Sequence, residues 1–157
     1  MVGGGNSALE EAVSLTAYAS KVTIVHEFNH FQAYPSAVEE VKKNEKINFI
    51  MESTVSEFKG NGSLDIAVIT HIPTDTSKEM KIDGTFIFIG YVPNTEPFEG
   101  LIELNERKEI ITDSALQTSF NGVFAAGDCL AKRYRQITTA VADGTIAALG
   151  AIEYVNK

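Results

Sequence analysis

Three consecutive glycines stand two residues into the chain, and they constrain it more than any other feature. Met1-Val2 runs directly into Gly3-Gly4-Gly5-Asn6-Ser7-Ala8, which fits G-x-G-x-x-A. Ala8, Ala12, Leu15 and Ala19 then lie on one face of a helix, and their small side chains allow close approach to a sheet. Val22-Thr23-Ile24-Val25 follows as a β-branched run, a strand signal. Turn, helix and strand in this order put the glycines where a dinucleotide pyrophosphate sits. Gly3 permits the tight turn, Gly5 lets backbone approach the phosphates, and Ala8 lets helix meet sheet. Free N–H groups at the helix start complete an anion site.

A sheet of this kind feeds its glycine turn from a central strand of about five residues. Only Met1 and Val2 precede the turn here. The expectation is a chain cut from something longer, or another segment filling the middle of the sheet.

Further along, Ser36-Ala37-Val38-Glu39 has capping-box spacing and predicts a helix fading by Asn44. Ile47–Ile50 and Val55–Phe58 read as short strands, and Gly60-Asn61-Gly62 as a turn. Leu64, Ile66, Val68 and Thr70 alternate with their neighbours as in an antiparallel strand. Pro73–Ser77 reads as a loop, with Met80 and Ile82 on a returning strand. Thr85–Ile89 is apolar at successive positions, as a strand buried on both faces would be. Beyond Gly90 an extended, proline-containing crossover leads to short strands at Ile110-Ile111 and Gly122–Ala126. Ile137, Val141, Gly144, Ala148, Ala151 and Val155 mark one face of a final helix.

Composition sets the outer limits. A length of 157 residues suits about one domain's worth of core, and 44% apolar content excludes a disordered chain. A net charge of −8 argues against nucleic-acid binding. No apolar run reaches the roughly 18 residues of a membrane span, and no basic stretch precedes an apolar core at the N-terminus. The expectation is a cytoplasmic protein that meets neither membrane nor nucleic acid. The single cysteine, Cys129, excludes a disulfide or CxxC pair within the chain and reads as structural. His26, His30 and His71 lack metal-ligand spacing and read as strand-end or surface residues, so no metal is expected. The pair Lys132-Arg133 reads as solvated.

In order, the glycine turn with Glu10-Glu11-Ala12, Lys21–His26, Asp83-Gly84 through Gly90, Pro93-Asn94-Thr95, Gly122–Asp128, Arg135-Gln136-Ile137 and Ala142-Asp143-Gly144 resemble the second half of a bacterial low-molecular-weight thioredoxin reductase. The resemblance covers essentially the whole chain. It implies an α/β, Rossmann-like pyridine-nucleotide domain over residues 1–90. Its parallel sheet would carry a small antiparallel meander, and residues 91–157 would be the C-terminal part of an FAD domain. The family's first FAD motif and its CxxC are absent from this chain, which is therefore expected to be inactive alone. In an intact relative, hydride would pass from NAD(P)H to FAD and electrons on to a thioredoxin-type disulfide. Two other readings stay open: a dinucleotide-binding fragment without turnover, and a diverged reductase with another electron donor.

The candidate cofactor-binding residues follow. Gly3, Gly4, Gly5, Asn6, Ser7 and Ala8 would cradle the nucleotide pyrophosphate, with Gly90 at the end of the same domain. NADPH-dependent relatives carry a pattern of the type H-R-R-x-x-x-R after the second strand. His26 matches it, but Glu27, Phe28 and Gln32 stand at the three arginine positions. Glu27 can accept bonds from ribose hydroxyls and repels a 2′-phosphate, which favours NADH over NADPH. Asp128, after Gly127, suits a ligand hydroxyl or a turn cap. By resemblance it would bond the ribityl chain of FAD, with Arg135, Gln136 and Ile137 near the flavin ring. No catalytic residue is assigned within the chain, and exposed apolar faces are expected to make it a homo-oligomer.

Overall fold

The computed structural model describes residues 1–156. In it the β-branched run forms β1 (Val22–Val25), preceded by α1 (Asn6–Leu15). Next come α2 (Pro35–Lys43), β2 (Ile47–Ile50), β3 (Ser53–Lys59), β4 (Ile66–His71), β5 (Thr76–Lys81) and, after a long irregular stretch, α3 (Ile137–Val155). The chain divides into two units, Met1–Gly90 and the part beginning at Tyr91.

In the first unit β1 pairs in parallel with β2, Val22 opposite Ile47 through Val25 opposite Ile50. Ala8, Leu9 and Ala12 of α1 are wholly buried, and Leu9 and Ala12 share one cluster with Val22, Ile24, Ala37, Val41 and Ile47. Each fully buried Leu, Ile or Val contributes about 1.5–3 kcal/mol, so this cluster holds the helix pair against the strands. The meander β3–β4–β5 is antiparallel and covers Ala67 and Ile69 on its inner face.

The middle of the parallel sheet, expected to lack most of its strand, is held by Met1–Gly3. Val2 N–H donates to Phe86 O and Phe88 N–H to Val2 O, both at 2.8 Å. On the other side Gly3 N–H reaches Val25 O and Val25 N–H reaches Met1 O, both at 2.9 Å. Thr85–Ile89 differs from expectation. It joins the sheet through the single bridge Val2–Ile87, and Phe86 to Ile89 are exposed, because it has a strand partner on one side only.

Helix α2 starts one residue earlier than its capping-box spacing predicts. Pro35 takes the first helical position, where its fixed φ is already helical, and Ser36 lies inside the first turn. Strand β5 starts at Thr76, inside the stretch that reads as a loop.

The second unit is built mostly from turns and single bridges around Ile102, Ile110 and Leu130. The predicted strands at Ile110-Ile111 and Gly122–Ala126 make isolated bridges, Ile110 with Leu104 and Leu130, Phe124 with Gln117. Helix α3 has the predicted span but packs through a different face. Asp143, Ala147 and Gly150 point inward, and partly exposed Tyr154 lies edge-on to Phe124. A Cβ on Gly150 would lie 2.8 Å from the Phe124 ring and 3.2 Å from Ala115 O, so the missing side chain lets the helix come close. The predicted apolar stripe turns outward, with Ile137 85% exposed and Val141 and Val155 similarly open.

Candidate functional site

The three glycines of the turn do three different jobs. Gly3 has φ +125, and a Cβ there would sit 2.1 Å from Phe88 O. Gly4 lies against the His26 ring, which a Cβ would meet at 2.5 Å. Gly5 is open: its nearest neighbour would be Gln32 O at 3.9 Å. Gly5 is also the extended N-cap of α1 and supplies no side-chain cap. The first intrahelical bond runs from Leu9 N–H to Gly5 O at 3.1 Å, so Ser7 and Ala8 ahead of it have no carbonyl one turn back. No acidic residue occupies the first turn of α1. The free donor of exposed Ser7 and the positive end of the helix dipole thus meet beside open Gly5, while Ala8 is buried against the sheet.

This turn opens on a cleft of about 460 Å³ lined by Gly3, Gly4, Gly5, His26, Glu27, Gln32, Ser53, Thr54 and Gly90, among others. The chain leaving β1 is pinned along it. His26 N–H donates to Ile50 O, Ser53 N–H to His26 O, and Glu52 N–H to Phe28 O. Asn6 Oδ1 accepts from Tyr34 N–H at 2.7 Å and fixes the far end of the same loop. Glu27 is exposed on the cleft, as an acceptor for ligand hydroxyls must be.

His26 stands at the strand end, one of the two places the sequence allows it. It lies just past β1 but is not a surface residue, being only 4% exposed, stacked on Phe31 and edge-on to Phe28. Its Nε2 is buried with no hydrogen-bond partner. Burial pushes its pKa below the usual histidine value, against the opposing pull of the His30 backbone and of Glu27.

In the second unit Gly127 turns the chain at φ +92, with open space where a Cβ would be, and the Asp128 side chain is 51% exposed beyond it. Sequence reasoning missed the clamp behind this turn. Asp143 Oδ2 on α3 accepts from Gly127 N–H at 3.3 Å and from Lys132 Nζ at 2.6 Å. Lys132 Nζ also lies 3.7 Å from Asp128 Oδ1. Lys132 is therefore not solvated: it and Asp143 are each only 17% exposed. Arg135 is committed to the same turn. It donates through Nε to Asp128 O at 3.2 Å and through Nη2 to Leu130 O, and pairs with Glu109. Gln136 caps α3, its N–H donating to Thr139 Oγ1 at 3.1 Å. Cys129 donates its thiol to Ala126 O at 3.4 Å and sits in the packed interior of the turn. Among the described residues no cluster of His, Cys, Asp or Glu could hold a metal ion.

The family described as pyridine nucleotide-disulphide oxidoreductase matches residues 1–144. The chain belongs to the pyridine nucleotide-disulphide oxidoreductase family. The thioredoxin reductase of Peptoclostridium acidaminophilum is 44% identical over 161 residues, an alignment covering 99% of this chain and 51% of that protein. A 34.2 kDa protein in the rubredoxin operon of Clostridium pasteurianum is 43% identical over 155 residues, with 99% and 50% covered. Among solved structures, Lactococcus lactis thioredoxin reductase superposes with a TM-score of 0.82 at 39% identity, over 98% of this chain and 51% of that one. The T. acidophilum thioredoxin reductase gives 0.79 at 34%, with 99% and 52% covered. The chain spans about half the length of the curated relatives it matches.

The α/β fold is that of this oxidoreductase family, and the family's name joins a pyridine nucleotide to a disulphide. The first unit fits the nucleotide: open Gly5, the N-cap of α1, borders the same cleft as His26, whose buried Nε2 has no partner. The second unit offers a half-exposed carboxylate, Asp128, on a rigidly held glycine turn, which fits a ligand hydroxyl. Of the residues placed near a flavin ring by resemblance, Ile137 is open and Gln136 caps α3, whereas Arg135 is spent within its own unit.

Proposed function

We propose that the chain is the nucleotide-binding and flavin-contacting half of a thioredoxin reductase-type enzyme, with residues 1–90 taking the dinucleotide and 91–157 completing an FAD site. In this reading Gly3, Gly4, Gly5, Asn6, Ser7 and Ala8 surround the pyrophosphate, and exposed Ser7 donates its free N–H group to it. His26 and Gly90 wall the cleft, and Glu27 accepts from the adenosine ribose. Gly127 and Asp128 hold the ribityl chain, with Gln136 and Ile137 beside the flavin. Arg135 steadies the turn from behind. When bound, the nicotinamide and flavin supply the hydride and electron chemistry, and the chain supplies binding and orientation. The electrons would go to a thioredoxin-like protein disulfide. A cytoplasmic location and self-association through the open face of α3 belong to the same proposal.

One observation carries the nucleotide assignment: an open glycine at the start of α1 faces a cleft that Glu27 also lines. The same observation sets cofactor choice. A carboxylate at this position offers an acceptor to a 2′-hydroxyl and repels a 2′-phosphate. NADH is therefore preferred over NADPH by at least about 1.4 kcal/mol, a tenfold ratio. Calorimetric titration of both nucleotides tests this, and Glu27→Arg with Phe28→Arg should shift the preference towards NADPH. Equal affinities, or tighter NADPH binding to the wild type, would remove Glu27 from the site.

A further inference from the structure

We infer that Asn61, at the tip of the β3–β4 hairpin, is a site of spontaneous covalent modification, deamidation through a cyclic imide to aspartate and isoaspartate. The chemistry makes three demands of an asparagine. The backbone nitrogen of the next residue must be free to attack, no side chain may shield it, and the asparagine amide must be free to swing onto it. Glycine in the next position meets the second demand best, since it has no Cβ. The chain has two Asn-Gly pairs, Asn61-Gly62 and Asn121-Gly122, and the fold treats them differently.

Asn61 sits in a loop tied at its base and open at its end. Asp65 N–H donates to Lys59 O at 3.0 Å, and Ser63 Oγ donates to Asp65 Oδ1 at 3.1 Å. A Cβ on Gly60 would lie 1.7 Å from Ser63 O, so the chain doubles back tightly beneath the tip. Asn61 and Gly62 form the outer corner, and both are exposed. Among the described residues neither the Asn61 side chain nor Gly62 N–H makes a hydrogen bond. A Cβ on Gly62 would meet no heavy atom within 4 Å. Asn121 is the internal contrast. Its Oδ1 accepts from Gln117 Nε2 at 3.1 Å, and Val123 N–H donates to Phe120 O at 3.1 Å across the pair. Gly122 lies against the Tyr154 ring, which a Cβ would meet at 2.9 Å. Attack there requires Asn121 to leave Gln117 and the turn to open beneath Tyr154.

The step at Asn61 balances without oxidant or reductant. Gly62 N attacks Asn61 Cγ; the N–Cγ bond forms and the Cγ–Nδ2 bond breaks. Ammonia leaves with the proton from Gly62 N–H. Water then opens the imide, giving aspartate where the new bond breaks and isoaspartate where the original peptide bond breaks. Each product adds one negative charge to a chain of net −8. The isoaspartate form also lengthens the backbone by a methylene, beyond the ladder that ends at Lys59 opposite Ile66, so the hairpin survives the change.

The test incubates the whole chain in mildly alkaline buffer, native and in concentrated urea, and follows both asparagines by peptide mass mapping. In urea both pairs lose their surroundings and should convert at similar rates. In the native chain Asn61 should keep close to its urea rate. Asn121 should be about tenfold slower than Asn61, because two hydrogen bonds open before attack. Asn61→Gln should remove the early acidic species on isoelectric focusing and leave the Asn121 rate unchanged. Equal native rates, or a faster rate at Asn121, overturn the proposal, as does an acidic species undiminished in Asn61→Gln. An Asn61 that stays intact in the native chain while it converts in urea overturns it too.

Discussion

Replacing Gly3 by alanine should unfold the first unit's sheet, while the same change at Gly5 should leave it standing. At Gly3 a Cβ would meet a backbone atom, Phe88 O, at 2.1 Å, in a conformation of φ +125. A non-glycine residue in such a region costs about 1–3 kcal/mol. Relief of the clash moves the 86–88 segment away and strains the bonds Val2–Phe86 and Phe88–Val2. Each is worth about 0.5–1.5 kcal/mol net. The total is roughly 2–6 kcal/mol, and for a unit of this size each kcal/mol lowers Tm by about 4–8 °C. A loss of at least about 8 °C is expected. Gly5 has φ −85 and nothing nearer than 3.9 Å, so Gly5→Ala should change stability by less than about 0.5 kcal/mol. Thermal and urea unfolding followed by circular dichroism reads both. A Gly3→Ala variant that melts within about 2 °C of wild type would refute the reasoning, as would equal losses for the two variants.

Gly5→Ala should also weaken NADH at least about tenfold in calorimetry, since its new methyl takes the space the phosphates need. Lys132→Met leaves Asp143 without its partner in a site that is mostly buried, and should cost about 2–3 kcal/mol in urea unfolding. Lys132→Met with Asp143→Leu should recover part of that loss. His26 is held neutral by burial, so its contribution to stability is present in full above its unfolded pKa near 6.5 and is lost as pH falls below it. The unfolding free energy of wild type should therefore drop more steeply than that of His26→Gln between about pH 6.5 and 5. Ile152→Glu on the open face of α3 should shift sedimentation towards monomer at high concentration if that face joins copies of the chain.

The sequence makes local elements legible wherever pattern and tertiary packing agree. The Val22–Val25 run and the small-residue face of α1 reappear as read, and β4 is antiparallel as read but buries Ala67 and Ile69 rather than Ile66 and Val68. It misleads where the better-looking pattern is not the one that packs. On α3 the apolar stripe from Ile137 to Val155 has the stronger periodicity. The helix nevertheless docks through Asp143, Ala147, Gly150 and Tyr154, because Gly150 permits a closer approach than any larger residue. Pro35 overrides the Ser36 capping box for a backbone reason, its preset φ. The glycine turn, Glu27 and Asp128 are visible in the sequence because their chemistry is local. The Lys132–Asp143 pair, the Arg135–Glu109 pair and the burial of His26 join positions far apart in the chain, and no spacing rule reaches them.

The hydrogen bonds that Val2 makes on both flanks set the timetable of folding. One partner, Val25, is nearby in the chain, but the other, the Phe86–Phe88 segment, is made last within the unit. During synthesis the α1–β1 hairpin and the α2–β2 pair can collapse early around Leu9, Ile24 and Val41. The glycine turn stays unbraced on one side until Phe88 has left the ribosome. Closing so wide a loop is slow and entropically expensive. For that interval the apolar residues at 86–89 and the unpaired edge of Met1–Gly3 are exposed together, the condition under which nascent chains misassociate. Yield on expression should consequently respond to translation pace and chaperone supply around this segment more than to changes anywhere in α3.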